Sequence, residues 1–288
     1  MFDDLEHAVI SFGILTLIFL PLERTFTARR QGFLRRGFGA DLCYFLGQYL
    51  LWNTPVVLAI TWGHAQMEHL PLQGSLQGAR AAFAAWPWWL QFGVAILISD
   101  CAIYWAHRWQ HHNAFLWRFH RVHHTAERMD WLAAHREHPL DNLYTRTVEN
   151  VPLLLLGFPM YTIAGFAVFR GMWAIFIHSN TNVDPGPLRY LIGAPRLHHW
   201  HHAIATRGMV NFANLSPLMD LAFGTYHDPR RMPKKVGIAE PFERNYITAL
   251  LAPLLPRRRL ASPLRSAAPV PSATLVPGRE ATDRPGGV

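Results

Sequence analysis

Three compact histidine boxes set between long apolar runs constrain this chain more than any other feature, because the runs must fold so that the boxes can meet. The boxes are His107-Arg-Trp-Gln-His111, His120-Arg-Val-His123-His124 and His198-His199-Trp-His201-His202, and residues 107–202 hold thirteen of the 17 histidines. A helix brings positions i, i+3 and i+4 onto one face, with Cβ atoms about 5–6 Å apart. His107 and His111 are spaced i, i+4; His120, His123 and His124, like His198, His201 and His202, are spaced i, i+3, i+4. Neutral imidazole ligates mid-to-late first-row metals well. Three such faces offer more nitrogens than one tetrahedral site uses, which points to two ions. His112 and His199 stand beside these ligands but about 100° off the shared face, so they are expected to support the site from behind. His138, in Ala-Ala-His135-Arg-Glu-His138-Pro, and His178, in Phe-Ile-His178-Ser-Asn180, are added as candidate ligands; His7, His64, His69 and His227 are expected to be ordinary.

The apolar runs point to a polytopic membrane bundle. Residues 8–22, 42–62 and 86–106 are the expected spans. The first is short against the roughly 17–25 residues a crossing helix needs. Gln48, Asn53 and Pro55 interrupt the second, and Trp86, Trp88 and Trp89 open the third as an interfacial belt. Arg24, Arg29, Arg30, Arg35 and Arg36 lie between the first two spans, whereas residues 63–85 carry only Arg80. The positive-inside rule then puts the first loop, and the end of the third span with His107, on the cytoplasmic side. A fourth run, 151–177, would deliver His178 to the opposite side if it crossed once. Gly157-Phe158-Pro159 breaks its middle, and Arg170 is costly at the centre of a lone span. It is therefore read as a helical hairpin that enters and returns; a plain fourth span with unrelated downstream histidines is the alternative.

The fold expected is all-α: three spans plus a re-entrant or hairpin helix pair, under a cytoplasmic histidine-rich helical cap. Residues 1–245 would form the membrane-embedded domain, 246–255 a short apolar or amphipathic segment, and 256–288, rich in Pro, Ala, Ser, Gly and Arg, a disordered tail. The acidic start, Met1-Phe-Asp-Asp-Leu-Glu-His7, does not read as a cleavable signal. Cys43 and Cys101 lack a Cys-x-x-Cys partner and are read as buried thiols. The net charge of +8 is almost all arginine, which suits anionic headgroups or an acidic partner better than nucleic acid in a chain with apolar spans.

Asp100, Tyr104, His107 and His111 are spaced i, i+4, i+7, i+11, so a carboxylate and a phenol could accept the far ring N–H of the histidines above them. Carboxylates are scarce around the boxes, which argues against magnesium, calcium and Glu-rich di-iron bundles. No His-Glu-x-x-His occurs, which removes the common zinc-protease reading. Iron, zinc and copper all remain compatible with imidazole.

Asp100-Cys-Ala-Ile-Tyr104-Trp-Ala-His107-Arg-Trp-Gln-His111, His120-Arg-Val-His123-His124, His178-Ser-Asn180 and Leu197-His198-His199-Trp-His201-His202 together resemble the fatty acid hydroxylase / sterol desaturase superfamily. The segment Asn211-Phe-Ala-Asn-Leu-Ser-Pro-Leu-Met-Asp220-Leu-Ala-Phe-Gly-Thr225-Tyr resembles that family's closing segment, with Phe212 where many members carry tyrosine. The resemblance covers roughly residues 20–245. It implies an integral-membrane, non-haem di-iron oxygenase that uses O2 and two external electrons to hydroxylate or desaturate an unactivated C–H bond of a lipid. It implies as ligands His107, His111, His120, His123, His124, His178, His201 and His202, then His198 and His138; Asp100, Tyr104, His112, His199 and Asn180 are expected behind them. No Gly-x-Gly-x-x-Gly or Cys-x-x-Cys-His occurs, so electrons would come from a separate ferredoxin or cytochrome-b5-like donor. Arg118, Arg121, Arg128, Arg136, Arg207, Arg230 and Arg231 would steer an acidic donor, or contact phospholipid. The arginine-rich composition suggests a bacterial inner membrane. Two readings of another class remain: a polytopic histidine-rich metal transporter or sensor, and a zinc-dependent membrane lipid hydrolase.

Overall fold

The computed structural model describes residues 2–69 and 73–255. Among these residues regular structure is helical, apart from two isolated antiparallel bridges, Thr27 with Thr181 and Ala203 with Val236. The expected tail, 256–288, lies outside the described residues.

Four segments are long and apolar enough to cross a membrane: Asp3–Thr25, Phe38–Gly63, Trp88–His112 and Met160–His178. The first lies in α1 (Phe2–Thr25). The second joins α2 (Phe38–Gly47) to α3 (Asn53–Glu68) through a π-helical turn, Gln48–Trp52. That turn falls where the sequence is interrupted: Pro55 has no N–H to return to the preceding turn, and a wider turn absorbs the defect. The loop expected at 63–85 instead contains α4 (Gln73–Ala84). Tertiary contact stabilises it, for Phe83 stacks on Phe158 at 4.5 Å between ring centroids.

The third span is α5 (Trp88–His112), preceded by Pro87 and followed by α6 (Ala114–His124), whose N-terminus is capped by the Asn113 side chain. The hairpin is present, broken at Gly157, whose φ is +81°, and Pro159. Its first arm, α7 (Pro139–Leu155), starts well before residue 151, because His138 caps it and Pro139 suits the first helical turn. The second arm, α8 (Met160–His178), is by itself long and apolar enough to span. Two short helices, α9 (Pro195–His201) and α10 (Leu218–Ala222), build the cap, and α11 (Tyr246–Leu251) occupies the segment read as short and apolar.

Cys43 is exposed rather than buried, and Cys101 is half-buried; both are free thiols. Arg35 of the first loop is turned into the protein. Arg35 is buried against Asp41, at 2.7 Å, and against Asp130, while Arg136 Nε meets Asp41 at 2.5 Å. Glu23, near the end of α1, accepts the backbone N–H of Trp131 at 2.7 Å and of Asn180 at 2.9 Å. Both sets of contacts fasten the end of the first span to the cap that carries the histidines.

Candidate metal centre

Nine of the ten candidate ligands gather into two groups: His107, His111, His120, His124 and His201 in one, and His123, His178, His198 and His202 in the other. Within each group one nitrogen per ring lies within 4.8 Å of all the others. The groups adjoin, the rings of His124 and His202 stacking at 4.3 Å. Helix geometry dictates the division. Relative to position i, i+4 lies about 40° one way and i+3 about 60° the other, so those two diverge by about 100°. The i, i+4 pairs His107/His111, His120/His124 and His198/His202 each stay together, while His123 and His201 cross to the other group. The single shared face expected for each box is thus resolved into two.

Five of the nine rings are fixed in orientation from behind. His107 Nδ1–H donates to the Phe212 carbonyl at 2.7 Å, His201 Nδ1–H to Val210 at 2.8 Å, His178 Nδ1–H to Ala174 at 2.6 Å and His123 Nδ1–H to Arg136 at 3.2 Å. His120 Nδ1 meets the Asp141 carboxylate at 2.9 Å, and Gln110 holds the other oxygen of Asp141 at 2.7 Å. Because a carbonyl can only accept, each ring that bonds one through Nδ1 carries its proton there and presents a bare lone pair at Nε2.

His123 and His178 then face each other Nε2 to Nε2 at 3.0 Å with no proton to share. His107 and His120 meet in the same way at 3.1 Å. Protonation does not relieve this contact, since burial pushes His120 down to about 3 and His123 to about 4. Burial and neighbouring histidines likewise hold His124, His198, His201 and His202 well below the ordinary imidazole value. His111 is fully buried, and neither ring nitrogen has a hydrogen-bond partner among the described residues. Facing lone pairs and orphaned buried nitrogens fit a cation at the centre of each group.

His138 is not brought to either group. Its Nδ1 accepts the Leu140 N–H at 3.1 Å as the cap of α7, and its Nε2–H donates to Leu250 at 3.1 Å. Asp100 does not reach the histidines either: it accepts the Leu215 and Ser216 N–H groups at 3.1 and 2.9 Å. Tyr104 bonds Thr225 at 3.0 Å and Arg108 at 2.9 Å rather than an imidazole. His112 bonds the Arg108 carbonyl at 2.7 Å. Asn180 clasps the Arg29 backbone in both directions, at 3.0 and 2.8 Å, which ties the chain after His178 to the chain after α1. His199 does lie behind a ligand, its Nε2 approaching the carbonyls of His178 and Ser179 at 3.3 and 3.0 Å. The sequence reading missed Asp141 and the backbone carbonyls, which belong to elements whose approach no local spacing reveals. Phe212 packs its ring against His107, His111 and His201 with centroids 5.5–5.8 Å apart. Of the arginines expected on the cytoplasmic face, Arg121 and Arg136 are buried and serve internal contacts.

A cavity of about 410 Å³ opens beneath the cap, with His107, His120, His123, His178 and His198 at one end. Ile14 of α1 and Val168 of α8, both strongly exposed, mark where it meets the outer surface of the bundle.

Residues 92–225, which hold both groups, match the family model for fatty acid hydroxylase. Over these residues the chain is similar to the fatty acid hydroxylase / sterol desaturase superfamily. Ornithine lipid hydroxylase OlsE of Rhizobium tropici is 30% identical over 170 residues, 58% of this chain and 51% of that protein. Delta(7)-sterol 5(6)-desaturase ERG3A of Gibberella zeae is 30% identical over 150 residues, 51% of this chain and 40% of the relative. Alkylglycerol monooxygenase of Danio rerio is 31% identical over 144 residues, 50% of this chain and 31% of the relative. The chain thus spans about half or less of the length of these curated relatives. No solved structure matches the chain. This likeness and four helices long and apolar enough to cross a membrane support an integral membrane protein.

Proposed function

We propose that the protein is a membrane lipid oxygenase, which hydroxylates or desaturates an unactivated C–H bond with O2 and two electrons from a separate ferredoxin or cytochrome-b5-like donor. One observation carries the reading: buried imidazole lone pairs face each other in two adjoining groups at the end of a cavity that reaches the bundle surface. His107, His111, His120, His124 and His201 would hold one iron ion, and His123, His178, His198 and His202 the other. The bound irons would supply O2 activation and the redox capacity that side chains lack.

The protein's own residues do the rest. Carbonyls and Asp141 hold the Nδ1 protons of His107, His120, His123, His178 and His201 away from the metal side, fixing those tautomers. Phe212 and Trp117 pack on the rings and exclude water. The cavity offers a lipid chain a path from the bilayer to the histidines. Positive-inside charge would set the site at the cytoplasmic surface of a bacterial inner membrane. The transporter alternative wants ligands strung along a path, whereas these are gathered in two closed groups.

Two measurements test the proposal. Anaerobically purified protein should carry two irons per chain; zinc in their place would turn the reading to hydrolysis. Lipids of cells with and without the gene should differ by a gain of sixteen or a loss of two mass units; identical lipid profiles under aerobic growth would overturn the oxygenase.

A further inference from the structure

The cavity beneath the histidines has a polar wall that metal binding does not use. Asp100 lies seven residues below His107 on α5 and Arg170 eight below His178 on α8, about 10–12 Å at the helical rise. Arg170 Nε pairs with Glu149 at 2.8 Å, and Glu149 also takes Arg146 at 3.1 Å. Arg146, Glu149, Arg170 and Asn214 all line the cavity. Ionisable side chains at membrane depth are costly and mark functional positions.

The Arg170 Nε ion pair occupies Glu149 Oε1, which has no other partner among the described residues, and leaves two further atoms of this wall over. Arg170 Nη1 and Asn214 Oδ1 have no hydrogen-bond partner among the described residues, although the Arg170 side chain is only 5% exposed. Nη1 stands 3.7 Å from Asp100 Oδ1, beyond hydrogen-bond reach. One atom is a donor and the other an acceptor. Both adjoin Asp100: Arg170 by that approach, Asn214 because the next residue, Leu215, donates its N–H to the same carboxylate oxygen. The backbone of Asn214 is pinned by Trp173 Nε1–H, which donates to its carbonyl at 3.2 Å. Between this spot and the histidines the lining includes Ile103, Ala106, Gly171, Ala174 and Ile175.

We propose that Arg170 and Asn214 form a subsite for a neutral group that both accepts and donates a hydrogen bond, a hydroxyl in the simplest case, on an otherwise apolar lipid. The subsite rests on the oxygenase reading for its purpose: by holding a hydroxyl about 10 Å from the histidines, it selects which carbon lies against them. A plain hydrocarbon chain would bury both atoms unpaired, a penalty expected to cost about tenfold or more in affinity.

The test compares retention of radiolabelled 1-dodecanol and n-dodecane by the full-length protein in lipid nanodiscs. Asn214→Leu removes the acceptor, and Arg170→Lys keeps a cation for Glu149 while removing Nη1. The wild type is expected to favour the alcohol about tenfold, and each variant to bring that ratio close to one with iron content unchanged. In cells, Asn214→Leu is expected to spread the oxidised position over several carbons. A wild-type ratio near one, or variants that keep the wild-type ratio, would overturn the subsite. Should Asn214→Leu fail to fold, the wild-type ratio and Arg170→Lys still decide. Retention requires no turnover, so discrimination without lipid oxidation would sink the oxygenase alone, and oxidation without discrimination the subsite alone.

Discussion

Gly208→Ala separates a metal-binding role for His111 from simple packing. Gly208 follows Arg207 in the turn after α9, with φ of +68° and +53° respectively. A Cβ at Gly208 would stand 2.5 Å from His111 Cε1, 2.9 Å from its Nδ1 and 3.3 Å from His124 Cε1. Carbon atoms pack no closer than about 3.5 Å, so the His111 ring must withdraw by about 1 Å. Metal–nitrogen distances tolerate only about 0.2 Å, so that retreat removes the ring as a ligand. A side chain at this φ also strains the backbone by roughly 1–2 kcal/mol. Gly186→Ala provides the control, since Gly186 has φ of +60° and nothing within 4 Å of its would-be Cβ. Both variants should insert and carry the backbone strain, with the cost of the His111 clash added only in Gly208→Ala. Gly208→Ala alone should lose iron from the first group and, at about 1 Å of misplacement, about 100-fold in O2-dependent lipid oxidation. Iron per chain and product per minute are the readouts. Wild-type iron and turnover in Gly208→Ala would refute the assignment of His111.

Other perturbations probe separate parts of the argument. Asp141→Ala frees the His120 ring and should lower iron affinity about 10–100-fold, with Asp141→Asn intermediate, measured by chelator competition. His138→Ala should keep both irons and cost only about 1 kcal/mol in unfolding, since it removes a helix cap and not a ligand. His123→Ala and His201→Ala should each abolish activity while the protein still inserts, because each removes one nitrogen from a different group. Arg35→Ala leaves Asp41 and Asp130 short of a buried partner and should cost about 3–5 kcal/mol, read as a fall in the thermal midpoint in detergent.

Much of the architecture was legible because it follows from local chemistry. Gly157 and Pro159 break the fourth apolar run whatever surrounds them, and Gln48 through Pro55 disturb the second. His138 shows the limit of such reading: an imidazole before Pro-Leu-Asp caps a helix as readily as it binds metal, and spacing alone does not choose. Asp100 has the spacing of the His107/His111 face, yet its carboxylate is consumed by the backbone of Leu215 and Ser216, 115 and 116 residues away. Arg35 looked like a topology signal and proved to be half of a buried ion cluster whose other arginine, Arg136, offers its carbonyl to His123.

By itself the sequence determined the donor type, the helical phase of each box and the folding back of the fourth run, since these depend on residues a few positions apart. Only the tertiary structure decided how the nine rings divide between two groups, and which carbonyl or carboxylate holds the Nδ1 proton of five of them. The physical reason is that neighbours such as His123 and His124 project about 100° apart on one helix. What each meets depends on distant segments (Arg136, Ala174, Val210, Phe212) that arrive only when the bundle packs.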